Sequence, residues 1–229
     1  LFASFNCVIM KFDNGVAKYD MGWSATLRDG VVSLRTAKGE LLGELKKAVR
    51  RSPTLGAAPP ANAVVLFDGK TADAFAKGRL TKHGLLAAGC DSKRGFADHR
   101  IHLEFKTPYK PRARGQGRGN SGLYVQGCYE CQVLDSFGLE GLDNECGGVY
   151  SIAPPIVNAC LPPETWQAYD IVFTAAKFAN GKKVEHGRMT VHLNGILIHD
   201  ELSLTHATTA HPRPEGSEPG GLFLQDHGN

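Results

Sequence analysis

The chain has 229 residues, is 42% hydrophobic and 21% charged, and carries 12 prolines. That is the composition of an ordinary soluble globular protein, long enough for one large β domain or two smaller ones. Lysine and arginine number 26 against 23 aspartates and glutamates, a net charge of +3. This balance is too mild to call for a nucleic-acid partner, and no apolar run is long enough to span a bilayer. The chain opens at Leu1 without Met and without a signal-peptide pattern, and stops at His-Gly-Asn, as a processed or trimmed piece would.

Within residues 1–51, the stretch 23–49 reads WSATL, RDG, VVSLRT, AKG and LLGELKKAV. Three short strand patterns separated by two Gly-ended turns predict a small antiparallel segment. Residues 52–63, SPTLGAAPPANA, are rich in Pro, Ala and Gly without periodicity and read as a linker, with the domain boundary there. From Val64 to Asn229 short runs recur: VVLF, IHLEFKT, SGLYVQ, YECQVLD, YDIVFTA, MTVHL, ILIHD and GLFLQD. They are separated by Gly, Pro and Asn turns with no helical crossovers between them, which predicts an all-β sandwich or jelly roll. LNGI at 193–196 carries the Asn-Gly hairpin signal. Short helix candidates fall only at Thr71–Phe75 and Pro163–Trp166, and Trp166 opens a run that alternates towards a core.

Six cysteines, Cys7, Cys90, Cys128, Cys131, Cys146 and Cys160, include no pair of zinc-type knuckles. Cys128 and Cys131 lie on a strand pattern, where residues three apart point to opposite faces, so they are poor partners for each other. Cys146 and Cys160 flank a Gly/Pro-rich loop that a disulfide would close in an exported protein.

Residues 117–135, GRGNSGLYVQGCYECQVLD, hold the densest chemistry. Alternation puts Leu123 and Val125 on one face and Tyr124 and Gln126 on the other; it likewise separates Glu130 and Gln132 from Tyr129, Cys131 and Val133. In IHLEFKT, His102, Glu104 and Lys106 stand opposite Ile101, Leu103 and Phe105. A solvated outer face is the simpler reading. Against it, these faces favour Tyr, Gln and Glu over Thr and Lys, with Asn120 beside them, and the flanking GQGRGNSG and NECGG let backbone approach a ligand closely. Glu104, Tyr124, Gln126, Glu130 and Gln132 are expected to line one concave carbohydrate-binding face. The motif KPRARGQGRG at 110–119 resembles a nucleic-acid-binding arm, but no basic stripe continues it, so no nucleic-acid partner is expected.

VVLFDGK at 64, HLEFKTPYKP at 102, GQGRGNSGLYVQG at 115, YECQVLDSFG at 129, DNECGGVYSIAPP at 143, WQAYDIVFTAAKF at 166 and LQDHGN at 224 closely resemble the 3-keto-disaccharide hydrolase domain family. The resemblance covers residues 64–229. It implies a concanavalin-A-like jelly roll, related to laminarinase-type glucanases and legume lectins, in exported bacterial proteins, periplasmic or secreted. Family chains usually run on past DHGN into one more strand, so this chain is expected to stop one strand short.

Laminarinase-type glucanases place two glutamates on a Glu-x-Asp-x-Glu strand, about 5 Å apart in the retaining arrangement. Here the same stretch is Glu130-Cys131-Gln132-Val133-Leu134, and the second carboxylate is missing. A 3-keto sugar makes the pair unnecessary, because the ketone acidifies the C2 proton. A base removes it, an enolate forms, the C1 oxygen is expelled, and added water completes a net hydrolysis. That chemistry needs a base, a stabiliser for the enolate and a proton for the leaving group. His227 and Glu130 are the candidates for the base. Arg118, Asn120, Gln126 and Gln132 are candidate donors, Tyr124 a platform for the ring, and Asp143, Asn144 and Glu145 a loop closing one end of the groove. Gln225 joins them through the LQDHGN motif. Simpler roles stand beside these: His227 as a turn residue, Asn144 as a turn stabiliser, Asp135 as a cap. The Asp, Glu and His density permits a divalent ion, with His102, Glu104 and His227 the most suitable ligand types, but no spacing specifies one and no cofactor is required. The competing readings are a non-catalytic lectin-like module and a direct hydrolase of the glucanase type.

Overall fold

The computed structural model describes residues 11–13, 16–18 and 22–228, the first six as backbone only; Cys7 lies outside them. The contacts divide the chain into two units between Arg50 and Arg51. The first is an antiparallel meander in chain order of β1 (Lys11–Asp13), β2 (Val16–Lys18), β3 (Ser24–Arg28), β4 (Val31–Arg35) and β5 (Leu41–Lys46). Asp29 and Gly30 both take left-handed backbone, φ 50° and 76°, as the two-residue hairpin between β3 and β4 requires.

The second unit is a jelly roll of two antiparallel sheets. Its strands are β6 (Phe75–Ala76), β7 (Cys90–Ser92), β8 (His99–Phe105), β9 (Ser121–Val125), β10 (Tyr129–Val133), β11 (Gln167–Thr174), β12 (Lys177–Ala179), β13 (Lys182–Glu185), β14 (Gly187–Leu193), β15 (Ile196–Leu204) and β16 (Phe223–Leu224). One sheet runs β10-β9-β16-β7-β6, the other β15-β14-β11-β8, and β12 pairs with β13 alone. The expected hairpin at Asn194-Gly195 is present, both residues with positive φ, joining β14 to β15. Alternation sends Leu123, Val125, Tyr129, Cys131 and Val133 from the first sheet against Ile101, Tyr169, Ile171, Phe173, Met189, Val191 and Leu193 from the second. Fully burying each large apolar side chain contributes about 1.5–3 kcal/mol, so this interface is the main source of stability.

Several local expectations are corrected. VVLF at 64–67 forms no strand, although Leu66 packs against the core. Both helix candidates are single turns, closed by Phe75 N–H to Ala72 O and Thr165 N–H to Pro162 O; the one helical element among the described residues is a 3₁₀ turn at Gly115–Gly117. Trp166 is half exposed, with Lys106 Nζ 5.5 Å from its ring centre. Cys146 and Cys160 do meet, but as thiols hydrogen-bonded to one another in the core.

The start of the linker is held to the four-stranded sheet. Thr54 Oγ1 donates to Asp170 Oδ2 at 2.7 Å, and Gly56 N–H donates to Glu104 Oε1. His102 sits between those carboxylates, Nδ1 2.7 Å from Asp170 and Nε2 3.3 Å from Glu104. Partial burial works to lower the His102 pKa, but the bonds and charges of Asp170 and Glu104 outweigh it and hold the value above 6.5. A raised cationic pKa stabilises the fold below pH 6.5 and loses that contribution as pH rises through the folded value. The amide of Gly56 is therefore expected to exchange faster as pH rises through this range, after correction for intrinsic rates. His102→Gln should remove the pH dependence; an unchanged profile in that variant would refute the coupling.

Candidate active site

The register of the β9–β10 hairpin sets Glu130 opposite Tyr124 and Gln132 opposite Gly122. Because side chains alternate, these residues share the face of the sheet turned away from the core. Glu130 lies across the strand onto Gly122, where any Cβ would fall within its carboxyl group; glycine is needed there for space. Loops cover this face. Thr208 Oγ1 accepts from Glu130 N–H at 2.9 Å and donates to Cys128 O at 3.1 Å. Tyr150 N–H donates to Glu130 O at 3.2 Å, and Gln225 N–H to Gly122 O at 2.9 Å.

The centre of the site is the Tyr124 hydroxyl. It stands 2.8 Å from Glu130 Oε2 and 3.0 Å from Thr209 O, and accepts from Gln225 Nε2 at 3.0 Å. Glu130 is only 3% exposed, and no ion pair reaches it among the described residues. Burial pushes its pKa up to about 7, against the opposing pull of the Tyr124 hydrogen bond. Burial and the neighbouring Glu130 charge raise the Tyr124 phenol in turn. A carboxyl group poised at neutrality is suited to exchanging protons with a substrate.

The other expected site residues divide. Gln225 joins the Tyr124 network. Gln132 is fully buried; its amide nitrogen donates to Gln116 Oε1 at 2.9 Å and Asn144 O at 3.3 Å, bracing two loops, while its Oε1 has no partner among the described residues. Gln126 leaves the polar face: it takes left-handed backbone, φ 53°, in the turn after β9, which ends the alternation, and its amide donates to Phe96 O at 2.8 Å. Glu104 is on the outer face of the other sheet, beside His102 and Asp170, so the five residues do not line one face. Arg118 is engaged with Asp135, through Nε to the carbonyl at 2.7 Å and through the guanidinium to Oδ2 at 2.9 Å. Asp135 Oδ1 also caps Phe137 N–H, the role expected for it.

Asn120 ends the same face, its Oδ1 enclosed without a partner. In the 143–145 loop, the Asp143 carbonyl packs on Gly148, the Asn144 carbonyl receives Gln116 and Gln132, and Glu145 caps Gly141 and Leu142 N–H. His227 is exposed, two residues beyond Gln225, in a turn closed by Gly228 N–H to Asp226 Oδ1. His102 and Glu104 therefore belong to one sheet, and His227 follows β16 of the other. Among the described residues no three His, Cys, Asp or Glu side chains converge as a metal site.

Four contributors were not legible beforehand: Thr208, the Thr209 carbonyl, Tyr150 and His211. His211 Nδ1 lies 2.7 Å from Thr208 O; since a carbonyl only accepts, Nδ1 carries the hydrogen and Nε2 is the basic atom. The motif DNECGGVYSIAPP held Tyr150, but nothing in its spacing linked it to Glu130, and Thr208, Thr209 and His211 lie in none of the motifs.

The jelly roll is a fold that carbohydrate-active proteins use, and a buried, uncompensated carboxyl group under polar loops is compatible with such a role. Residues 62–229 match the 3-keto-α-glucoside-1,2-lyase-like domain, and the chain belongs to that family. Among solved structures it is similar to a candidate glycosyl hydrolase from Parabacteroides distasonis ATCC 8503, with 28% identity over 83% of this chain and 89% of that one and a TM-score of 0.69. A second candidate glycosyl hydrolase from the same organism shares the fold at 18% identity, with 72% and 88% coverage and a TM-score of 0.50. No curated protein matches the chain.

Proposed function

We propose that the protein is an enzyme that cleaves the glycosidic bond of 3-keto-disaccharides or 3-keto-glycosides by C2 deprotonation, elimination at C1 and hydration. The observation that carries this reading is Glu130: one carboxyl group, buried without a cation and pushed up to about 7, with no second acidic side chain on its strand in the position a double-displacement mechanism needs. Proton transfer at a carbon acidified by a ketone asks for one such group and a partner; His227, exposed and two residues beyond Gln225 in the chain, is the candidate for the second titratable side chain.

The test is incubation with 3-keto-disaccharides and their unoxidised parents, following released monosaccharide. Release only from the keto forms is expected, with C2 deuterium washing into water or giving a primary isotope effect. Cleavage of the parents would return the protein to direct hydrolysis. Saturable binding of both without cleavage would make it a lectin-like module.

A further inference from the structure

The hydrogen-bond inventory around Tyr124 distinguishes the two roles open to Glu130. A phenol has one hydrogen to give and can accept on its oxygen. Its three neighbours are Glu130 Oε2, the Thr209 carbonyl and the Gln225 amide nitrogen. The amide nitrogen only donates and the carbonyl only accepts. If Glu130 is ionised, its carboxylate and Thr209 O compete for one hydrogen, and one acceptor beside the buried phenol loses its bond to Tyr124. If Glu130 is protonated, it donates to Tyr124, Tyr124 donates to Thr209 O, and every contact is made. Turning the Gln225 amide over would add another acceptor and make the need for a Glu130 hydrogen greater. The protonated form keeps every one of these contacts and the ionised form does not, which favours a protonated resting state.

The other groups packed on Glu130 do not reverse this. The titratable neighbours are Tyr124 on β9, Tyr150 after the 147–149 loop, and the buried thiol of Cys131 on its own strand; His211 lies on the turn above. None supplies a fixed positive charge.

We infer that Glu130 rests protonated and enters the reaction as the proton donor to the leaving glycosidic oxygen, with Tyr124 as the positioning residue that answers its ionisation. This assignment rests on the proposed 3-keto reaction and leaves His227 as the base. His227 takes the C2 proton, and the C2–H electron pair becomes the C1=C2 bond. The C1–O pair departs with the glycosidic oxygen, which receives the Glu130 proton. Tyr124 turns its hydrogen from Thr209 O to the new carboxylate. Water then adds at C1, losing one proton to Glu130, while the His227 proton returns to C2, and both groups are restored.

The test compares Glu130→Gln with the unaltered protein on 3-keto-glucosides bearing a sugar or a nitrophenoxide leaving group. A proton donor matters for the first and little for the second. The expected loss is about 10²- to 10⁴-fold with the sugar and under about tenfold with nitrophenoxide. Equal losses on both would make Glu130 the base and overturn the assignment. Independently of activity, the infrared carboxylic-acid band lost in Glu130→Gln should be present below neutrality and vanish above it. In Tyr124→Phe, which removes the hydroxyl whose hydrogen turns to the carboxylate once Glu130 ionises, both the band and the alkaline limb of kcat should persist to higher pH. A merely structural Tyr124 would move neither. Absence of the acid band below neutrality would overturn the resting state. If the unaltered protein cleaves no 3-keto-glycoside, the proposed function fails, while the infrared titration still decides the protonation of Glu130.

Discussion

His227→Phe is expected to lower turnover of a 3-keto-disaccharide by about 10²- to 10⁴-fold, as Glu130→Gln does, with affinity for the substrate changing far less. Both side chains would act by moving protons in the transition state, so removing either affects kcat more than KM. The histidine is the more diagnostic of the two: it is exposed in a turn whose own closure is made by Asp226 and Gly228, so its loss should leave the fold intact. Steady-state kinetics with a thermal melt on the same sample check this. Full activity in the variant, with an unchanged melt, would remove His227 from the reaction and transfer the search for the base to His211, whose Nδ1 bonds to the carbonyl of Thr208 and leaves Nε2 open.

The second large effect is on stability. The Glu130 carboxyl has an ordinary value of 4.5 and is pushed up to about 7 in the folded chain by burial. Between those values the folded state holds a proton that the unfolded state has released. Stability is therefore fully present below pH 4.5, is lost as pH rises, and has reached its full loss once pH passes about 7. The gap corresponds to ~3 kcal/mol. Glu130→Gln cannot ionise, so it should be more stable than the unaltered protein at pH 8 by an amount of that order and closely similar at pH 4.5, as measured by urea unfolding at each pH. A stability difference that does not change with pH would mean that Glu130 is not buried in solution. Together the two results would describe a residue that costs stability at neutral pH and supplies catalysis in return.

Much of this was legible in residue order. Period-2 runs between Gly, Pro and Asn turns specify strands without helices, because each apolar face must be buried and each turn needs backbone that only certain residues tolerate. The Asn194-Gly195 hairpin follows from two consecutive left-handed positions. The pairing of Glu130 with Tyr124 is of the same local kind: the short three-residue connection Gln126-Gly127-Cys128 leaves the two strands little choice of register.

What sequence could not give lies at long range. Alternation tells which residues share a face of one strand, but not which sheet the strand joins; Glu104 has the same pattern as Glu130 and ended on the opposite sheet, because β8 pairs with β11 and not with β9. Nor does it tell which polar faces are covered. Gln132 and Arg118 have the chemistry of ligand-binding groups, and tertiary structure uses them to brace loops, since a buried amide or guanidinium must find partners wherever the backbone brings them. The Tyr124 hydroxyl meets a carbonyl 85 residues away and an amide 101 residues away. Neither contact has a local signature, because a backbone carbonyl is the same in every residue. Sequence alone determined that a glutamate and a tyrosine stand side by side on a polar strand pair. Only the fold, by excluding water and cations from that pair and bringing Thr209 and Gln225 to it, decided that the carboxyl would be held near neutrality.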